Sequence, residues 1–228
     1  MMGRRFIKFG AIALCASVGL SGCGNDPANK ERFSAIQNLA TAVLNRGKKA
    51  PAETPLEQKI AQALASTTAP LVLFSLETSK STGLLLEIER NRDYHTYGSA
   101  DRKTIVLKRG IVTASRGFGN DMMSSDLSTS GALVRARQNG TGQRKTRFLD
   151  GEDQTFTFIF NCTVSVGKSE KMESATFKTN VKRVTEECAA GSRKITNTYM
   201  VERDGNVVAS RQWFSPMLGY VTTAQLRR

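Results

Sequence analysis

The sequence predicts a mainly β protein, an antiparallel sandwich or barrel-like domain with one or two N-terminal helices. After Pro70, apolar and polar residues alternate with the period of two that is typical of strands. β-branched and aromatic residues become more frequent in the same part, and turn signals recur about every 8 to 12 residues. Such short, evenly spaced strands indicate an antiparallel sheet rather than a parallel α/β fold. A length of 228 residues, 39% of them hydrophobic, is enough for one main domain.

The first 22 residues have the features of a lipoprotein export signal. Arg4, Arg5 and Lys8 precede an apolar stretch at residues 9–20, which is too short to span a bilayer. The run Leu20-Ser21-Gly22-Cys23 then fits a lipobox, in which cleavage before the cysteine frees it to accept lipid. We therefore expect a signal peptide over residues 1–22.

Lipidation of Cys23 would attach the protein to a membrane, since several acyl chains together give stable anchoring. Gly24 follows the cysteine where Asp would argue for inner-membrane retention, so we expect the periplasmic side of the outer membrane. The alternative is an ordinary signal peptide followed by a free or disulfide-bonded Cys23. Residues 23–29, which are short, polar and contain a proline, are predicted to be a tether.

Residues 30–66 are predicted to be helical in two pieces that cover the sheet. Apolar residues have helical spacing over residues 30–45 and again over 56–65. The intervening residues 46–55 contain Gly47, Pro51 and Pro55, which interrupt a helix.

The β domain is predicted to occupy residues 70–228. Strands are expected at residues 71–77, 83–89, 94–98, 103–109, 155–166, 174–182, 196–203, 206–214 and 218–226. Asp204-Gly205 is a hairpin signal between two of them. Residues 122–131 and 139–143 are predicted to be loops.

The clearest strand is 155–166, in which the even-numbered residues are apolar. Phe156, Phe158, Phe160, Cys162, Val164 and Val166 form one face, and mostly Thr, Ser and Asn form the other. One face is therefore expected in the core and the other in water.

Of the four cysteines, two are left for the folded domain. Cys15 leaves with the signal and Cys23 carries lipid, so Cys162 and Cys188 are predicted to form a disulfide in the oxidising periplasm. Two reduced, buried cysteines are the alternative. A metal site is disfavoured because two thiolates without a neighbouring histidine do not complete a zinc shell. No motif indicates a cofactor.

The net charge is +13, and it falls to about +10 without Arg4, Arg5 and Lys8. Such an excess would suggest nucleic acid in a cytoplasmic protein, but an exported chain meets anionic lipid headgroups and acidic polysaccharides instead. We therefore expect no nucleic-acid partner. Solubility alone is the alternative explanation of the charge.

No cluster of residues predicts catalysis. The only histidine, His95, stands in a tyrosine-containing strand without a recognisable nucleophile. A glycosidase would need two facing carboxylates, and the spacing of Asp121, Asp126, Asp150, Glu152 and Asp153 pairs none of them. The protein is therefore predicted not to be an enzyme.

Two short runs are candidate interaction sites. The first ends a strand with Arg116, Gly117, Phe118, Gly119 and Asp121, which put a cation, flexible backbone, an aromatic ring and an acid into one turn. It is also compatible with a structural corner in which Asp121 accepts backbone N–H groups and the glycines adopt positive φ.

The second run is Arg211, Gln212 and Trp213, which includes the only tryptophan. Strand alternation places Trp213 on the same face as Arg211, where an indole ring is able to stack on a sugar. A buried anchor is the equally good alternative.

Several of these motifs together resemble the YjbF/GfcB family of lipoproteins of exopolysaccharide and group 4 capsule production. The resemblance rests on the lipobox, residues 94–101, residues 107–122, the Cys162 and Cys188 pair with Glu186-Glu187, residues 197–199 and residues 210–216. Tyr97 and Asn120 depart from the family pattern, which commonly has tryptophan and another aromatic residue there.

The resemblance implies a non-enzymatic accessory lipoprotein, a scaffold or adaptor in polysaccharide assembly or export. The implied partners are outer-membrane or periplasmic polysaccharide secretion proteins and acidic polysaccharide, with the membrane bound through the lipid. A glycan-modifying enzyme and a lipid-binding carrier are the alternatives.

Overall fold

A computed structural model of the protein describes residues 55–149 and 154–228. The predicted signal peptide, the tether, the helix at 30–45 and the lipidated Cys23 lie outside these residues, as do Asp150, Glu152 and Asp153. The elements are α1 (Leu56–Ser66), β1 (Leu71–Leu76), β2 (Ser81–Asn91), β3 (Tyr94–Gly98), β4 (Thr104–Lys108), β5 (Ile111–Arg116), β6 (Met122–Asp126), α2 (Ser130–Ala136), β7 (Gly140–Leu149), β8 (Thr155–Glu173), β9 (Lys178–Ala190), β10 (Arg193–Val201), β11 (Val207–Ser215) and β12 (Gly219–Arg227). Neither helix is long and apolar enough to cross a membrane.

All twelve strands form one antiparallel sheet in the order β5-β4-β3-β2-β1-β12-β11-β10-β9-β8-β7-β6. The two edge strands, β5 and β6, are brought together by side chains. The Met122 amide donates to Ser115 Oγ at 2.9 Å, and Arg116 Nη1 donates to the Met122 carbonyl at 3.1 Å. The sheet therefore curls into a nearly closed barrel, which confirms the predicted mainly β, barrel-like class.

Because successive strands are joined by hairpins, the connections gather at two opposite ends of the barrel. The end that we call the cavity end consists of residues 77–80, 99–103, 116–121, 191–194 and 216–218. The opposite end, which we call the basic end, consists of residues 90–93, 108–110, 127–139, 168–182, 202–206 and 227–228. β1 begins and β12 finishes at the basic end, where Leu71 pairs with Arg227.

The interior is filled by aromatic and aliphatic side chains. The even residues of β8 face inward as predicted, with Phe160, Cys162 and Val164 buried, while Ile159 on the outer face is 53% exposed. Phe158 and Phe160 pack with Trp213 of β11, at centroid distances of 5.7 and 5.4 Å. This cluster forms the centre of the core.

The helices cover different parts of the sheet. α1, at the second predicted helical position, packs Ala63 against Leu71 and Leu226 on the outer surface. α2 lies across the interior near the basic end, where Val134 is fully buried beside Val164 and Tyr199. Its close approach depends on Gly142, because a Cβ there would lie 2.8 Å from the Ser130 amide nitrogen.

The two predicted loops, 122–131 and 139–143, are wrong. Residues 122–126 are β6 and the second loop contains the start of β7 at Gly140. The pairing of these strands with each other and with β8 supplies the order that their Ser- and Gly-rich sequences do not indicate. α2 has only seven residues and is held by packing of Val134 rather than by helix propensity.

The strand predicted at 174–182 is misplaced, since residues 174–177 are the turn between β8 and β9. β8 continues to Glu173, beyond the predicted residue 166, and β9 continues to Ala190. Charged residues obscured the alternation in this hairpin. The predicted turn at Asp204-Gly205 is confirmed: Gly205 has φ +83° and the Asn206 amide donates to Asp204 Oδ1 at 3.0 Å.

Candidate functional site at the cavity end

The turn at residues 116–121 is organised around the carboxylate of Asp121. The amides of Gly117 and Phe118 donate to it at 2.8 and 3.2 Å, and Ser115 Oγ donates at 2.9 Å. Gly117 and Gly119 have φ of +86° and +90°, a conformation that favours glycine. The turn is therefore the structural corner that the sequence analysis gave as one of two alternatives. That this turn also binds a partner stays a prediction.

Arg116 makes hydrogen bonds within this turn and is also exposed to solvent. Its Nη1 donates to the Met122 carbonyl at 3.1 Å and also to the Ser115 carbonyl, while the residue as a whole is exposed. The guanidinium thus joins the two edge strands and still presents positive charge at the barrel rim.

Phe118 connects the turn to the core. Its ring lies 5.3 Å from the ring of Phe74 and 5.2 Å from that of Phe214, measured between centroids. The Lys103 ammonium lies 6.0 Å from the centroid of Phe118. The ring is half-buried, so it is an anchor with one accessible side.

Asn120 ties the turn to the neighbouring hairpin between β11 and β12. Its side-chain oxygen accepts a hydrogen bond from the Met217 amide at 3.4 Å, and Asn120 itself is buried. Met217 is 74% exposed, which is unusual for so large an apolar side chain. An asparagine here secures the position of Met217 at the rim.

A cavity of about 310 Å³ lies beside this turn, between the β1–β2 and β3–β4 hairpins. Its apolar floor and polar rim are formed by Phe74, Leu76, Ser79, Ser81, Thr82, Gly83, Leu85, Ser99, Asp101, Lys103 and Phe118. Its volume lies at the lower limit for small-ligand sites, roughly 300 Å³. Hydroxyls and a cation around aromatic carbon are suited to contacts with a sugar ring or a short peptide segment.

Arg211, Gln212 and Trp213 do not form a common surface. Arg211 is exposed; it pairs with Glu77 at 2.7 Å and stacks 3.7 Å above Tyr220. Gln212 is 1% exposed, and its Oε1 accepts from the Val112 amide at 3.1 Å. Trp213 is 5% exposed.

Arg211 and Trp213 do not share an exposed face, contrary to the expectation: Arg211 is exposed, whereas Trp213 packs in the core against Phe158 and Phe160. The regular pairing of β11 with β10 extends only to Arg211, and residues 212–215 are all buried. In addition, the Trp213 amide donates to the side chain of Asn197 at 2.7 Å. Trp213 is thus the buried anchor of the two alternatives.

An interior polar cluster, which the sequence did not reveal, lies among β7, β9 and β10. Arg144 Nη2 lies 2.9 Å from Glu186 Oε2, and Tyr199 and Asn197 donate to the same carboxylate at 2.8 and 2.9 Å. Arg144 also donates to the Tyr199 hydroxyl at 2.7 Å. The strand alternation could have indicated only that Arg144 and Glu186 point inward.

Burial alone would raise the pKa of Glu186, but the charge of Arg144 and the hydrogen bonds from Asn197 and Tyr199 together outweigh it, so the pKa lies below its ordinary value. Burial likewise opposes the charge of Arg144, but Glu186 raises its pKa. Both groups are therefore ionised, and with side chains 3% and 0% exposed they are inaccessible to a large substrate. The cluster is structural.

Cys162 and Cys188 form the predicted disulfide, opposite each other on β8 and β9. The two sulfurs and a Glu186 oxygen lie within 4.8 Å of one another. Since the sulfurs are bonded to each other, neither is a thiolate available to a metal.

The other groups considered for catalysis have partners of their own. His95 Nδ1 lies 2.9 Å from Glu87 Oε2, and Arg90 pairs with the same carboxylate at 2.8 Å. Burial would raise the pKa of Glu87, but hydrogen bonds from Arg90 and His95 lower it. Asp126 accepts the Ser128 amide at 2.9 Å. Asp121, Asp126 and His95 are thus each bound by neighbouring residues within the part of the chain that the structure describes.

Fold and site together define a nearly closed, barrel-like β protein with a small cavity and several motif residues at one end. The chain belongs to the family described as group 4 capsule polysaccharide lipoprotein GfcB, YjbF, whose model matches residues 37–226. It is thus a membrane-anchored lipoprotein of the cell envelope with a role in capsule or exopolysaccharide.

The fold is similar to that of the hypothetical lipoprotein YmcC from Escherichia coli K12, with 14% identity and a TM-score of 0.68. That match covers 91% of this chain and 98% of YmcC. A putative exported protein with a YmcC-like fold from Bacteroides fragilis NCTC 9343 matches at 9% identity and a TM-score of 0.31, over 71% of this chain and 95% of its own. No curated protein matches in sequence.

Proposed function

We propose that the protein is an accessory scaffold or adaptor lipoprotein, on the periplasmic side of the outer membrane, in exopolysaccharide or capsule assembly or export. It binds its partner through the cavity end. One observation carries this proposal: three separated stretches with family motifs, residues 94–101, 107–122 and 210–216, each have one part there, at residues 99–101, 116–121 and 216. Packing of the barrel core alone would not require them to meet at one end.

The first two stretches contribute directly to the rim of the cavity. Ser99 and Asp101 come from the first, and Phe118 follows Arg116 in the second. Asp101 pairs with Lys103 at 2.7 Å, and a hydrogen bond from Lys103 lowers its pKa, so the rim contains a charged pair. These groups give a partner both apolar and ionic contacts.

The third stretch, residues 210–216, contacts residues of the cavity end through the side chains of Phe214 and Arg211. Phe214 packs against Phe118, and Arg211 holds Glu77 in the adjoining β1–β2 hairpin. The exposed Met217 follows directly after this stretch. A protein loop that covers Met217 and enters the cavity would bury both apolar surfaces, as the core of an interface does.

Polysaccharide secretion proteins of the outer membrane or periplasm are the partner class that this arrangement and the family favour. Acidic polysaccharide is the second candidate, because Lys103 lines a cavity with several hydroxyls and the exposed Arg116 adds positive charge to the neighbouring turn. Of the alternatives, catalysis finds no support in the side chains described above. A lipid carrier would need an apolar cavity inside the barrel, where Phe148, Phe160 and Val164 are at most 1% exposed.

The test is complementation of a gene deletion with Met217→Asp, which puts a charge into the proposed contact without touching the turn's hydrogen-bonding side chains. Thr163→Asp is the matched control, because Thr163 is exposed on the outer face of β8. Immunoblotting should show equal protein levels. We expect deletion and Met217→Asp to reduce the amount or chain length of surface polysaccharide, and Thr163→Asp to restore both. Unchanged polysaccharide in the deletion strain would contradict the function, and full restoration by Met217→Asp would contradict the site.

A further inference from the structure

Positive charge is concentrated at the basic end of the barrel. The residues that define this end include thirteen Lys and Arg and five Asp and Glu, a surplus of eight. The residues that define the cavity end include six Lys and Arg and three Asp and Glu. The protein is thus electrostatically polar along its barrel axis.

The hairpins of the basic end form one continuous surface. The Val207 amide donates to the Arg109 carbonyl at 3.0 Å, which joins two hairpins across the barrel. Arg137 Nη2 donates to the Arg203 carbonyl at 3.2 Å, so the end of α2 joins them. The β8–β9 hairpin is connected through Arg228, which stacks 4.0 Å from the ring of Phe177. The cations therefore share one surface and act together.

Backbone conformation gives an independent indication. The five non-glycine residues with positive φ among the described ones are all cationic: Lys80, Arg92, Arg102, Arg109 and Arg137. This conformation is strained for most residues and favours Gly or Asn. Three of the five are at the basic end, where a Gly would make an easier turn but present no charge. Strain retained at such positions points to a functional surface.

The segment that leads from the N-terminal part of the chain into β1 also lies at the basic end. The carbonyls of Leu64 and Thr67 bind the guanidinium of Arg227, so the segment between α1 and β1 lies at the basic end. From Cys23, the predicted lipid site, to Pro55 the chain is able to span up to about 110 Å when extended. Lipid attachment alone therefore does not decide which part of the barrel faces the membrane.

We propose that the basic end docks on an anionic lipid surface, so that the lipoprotein is held upright and presents its cavity end to the periplasm. A net positive charge over a continuous end matches a plane of anionic headgroups. Attraction acts over a Debye length of roughly 8 Å at physiological salt. Arg92, Lys171 and Arg203 are exposed, form no ion pair with other described residues, and belong to three separate hairpins of that surface. The lipid supplies attachment and the basic end supplies orientation.

The test measures orientation in reconstituted vesicles with the full lipidated protein. A fluorophore is attached through Ser169→Cys at the basic end or Met217→Cys at the cavity end, and nitroxide-labelled headgroups act as quenchers. Both positions are exposed. We expect quenching at position 169, but not at 217, in vesicles of about 30% phosphatidylglycerol, and loss of quenching in pure phosphatidylcholine or high salt. Equal quenching at the two positions, or quenching that ignores lipid charge, would overturn the proposal.

A matched pair of triple variants separates local charge from total charge. Arg92→Glu, Lys171→Glu and Arg203→Glu alter the basic end, and Lys145→Glu, Arg147→Glu and Lys194→Glu alter exposed cations elsewhere; the described residues form no ion pair with these six. The first set should lower the ratio of docked to undocked protein by at least about 100-fold, at roughly fivefold per cation. The second set should change it little. Equal effects of the two sets would overturn the proposal. The proposal would also be overturned if the wild-type protein showed no orientation on vesicles but bound the acidic polysaccharide polygalacturonate, and if the first set of substitutions abolished that binding.

Discussion

The two ends of the barrel differ in their shape and in their charge. At the cavity end, parts of motif stretches far apart in sequence meet around Phe118 and a cavity, and two acidic residues pair with cations, Asp101 with Lys103 and Glu77 with Arg211. At the basic end, α2 and the β8–β9 hairpin close the barrel, and cations outnumber anions. The comparison shows that the cavity and the excess of positive charge lie at opposite ends of the barrel axis. A specific contact and a non-specific attraction therefore need not compete for the same residues.

Both ends depend on the interior between them. The cluster of Arg144, Glu186, Tyr199 and Asn197 joins β7, β9 and β10, and the Trp213 amide extends it to β11. A change in the cluster should therefore affect both ends, and a change at one end should stay local.

The largest effect is expected from Arg144→Met. It leaves the Glu186 carboxylate buried without its cation, which should lower the free energy of unfolding by about 3–5 kcal/mol. Urea unfolding monitored by Trp213 fluorescence measures this loss. Arg144→Met combined with Glu186→Met should recover part of it, because no uncompensated charge is then buried. A single-variant loss below roughly 1 kcal/mol would show that the pair does not hold the interior together.

A smaller effect, confined to the cavity end, is expected from Asp121→Ala. The variant loses three hydrogen bonds to a carboxylate, which should reduce stability by about 1–3 kcal/mol because the turn is partly solvated. Hydrogen exchange should become faster at the amides of Gly117 and Phe118. Amides at the basic end should be unaffected, and Asp126→Ala, which removes one bond to the Ser128 amide, serves as the control. Faster exchange at both ends would contradict the independence of the two.

The smallest effect is the pH dependence from Glu186. Its pKa in the folded protein lies below the ordinary 4.5, so the unfolded chain takes up a proton first as the pH falls. The stabilisation is therefore complete above pH 4.5 and is lost as the pH decreases through the lower, folded value. For a single carboxylate the slope is at most about 1.4 kcal/mol per pH unit. Unfolding between pH 5 and 2 should show a shallower decline in Glu186→Gln than in the wild type, and equal slopes would contradict the assignment.

Much of the fold was predictable because burial on one face leaves a period of two in the sequence. The strand at β8 is the clearest case, with Phe160, Cys162 and Val164 inward. β6 and the start of β7 were missed because Ser, Thr and Gly carry no such period and are ordered by neighbouring strands. The topology also remained open, since alternation specifies which face is buried but not which strands pair.

At the candidate site, local chemistry was predictable and long-range placement was not. Asp121 and its glycines indicated a corner because carboxylates accept nearby amides and glycine tolerates positive φ. Trp213 was placed beside Arg211 because strand alternation in a single sequence does not show that the pairing of β11 with β10 ends at Arg211. The interior pair of Arg144 and Glu186 was missed because residues 42 apart in sequence have no local pattern to link them.

The central claim, that the cavity end is the contact surface for polysaccharide secretion partners, is tested most directly by photo-crosslinking in intact cells. A photoreactive residue is placed at Met217, at the cavity end, or at Thr163, on the exposed outer face of β8. The account predicts adducts with an outer-membrane or periplasmic polysaccharide secretion protein from position 217 and none from 163. Equal yields of that adduct from both positions, or adducts from 163 alone, would contradict it.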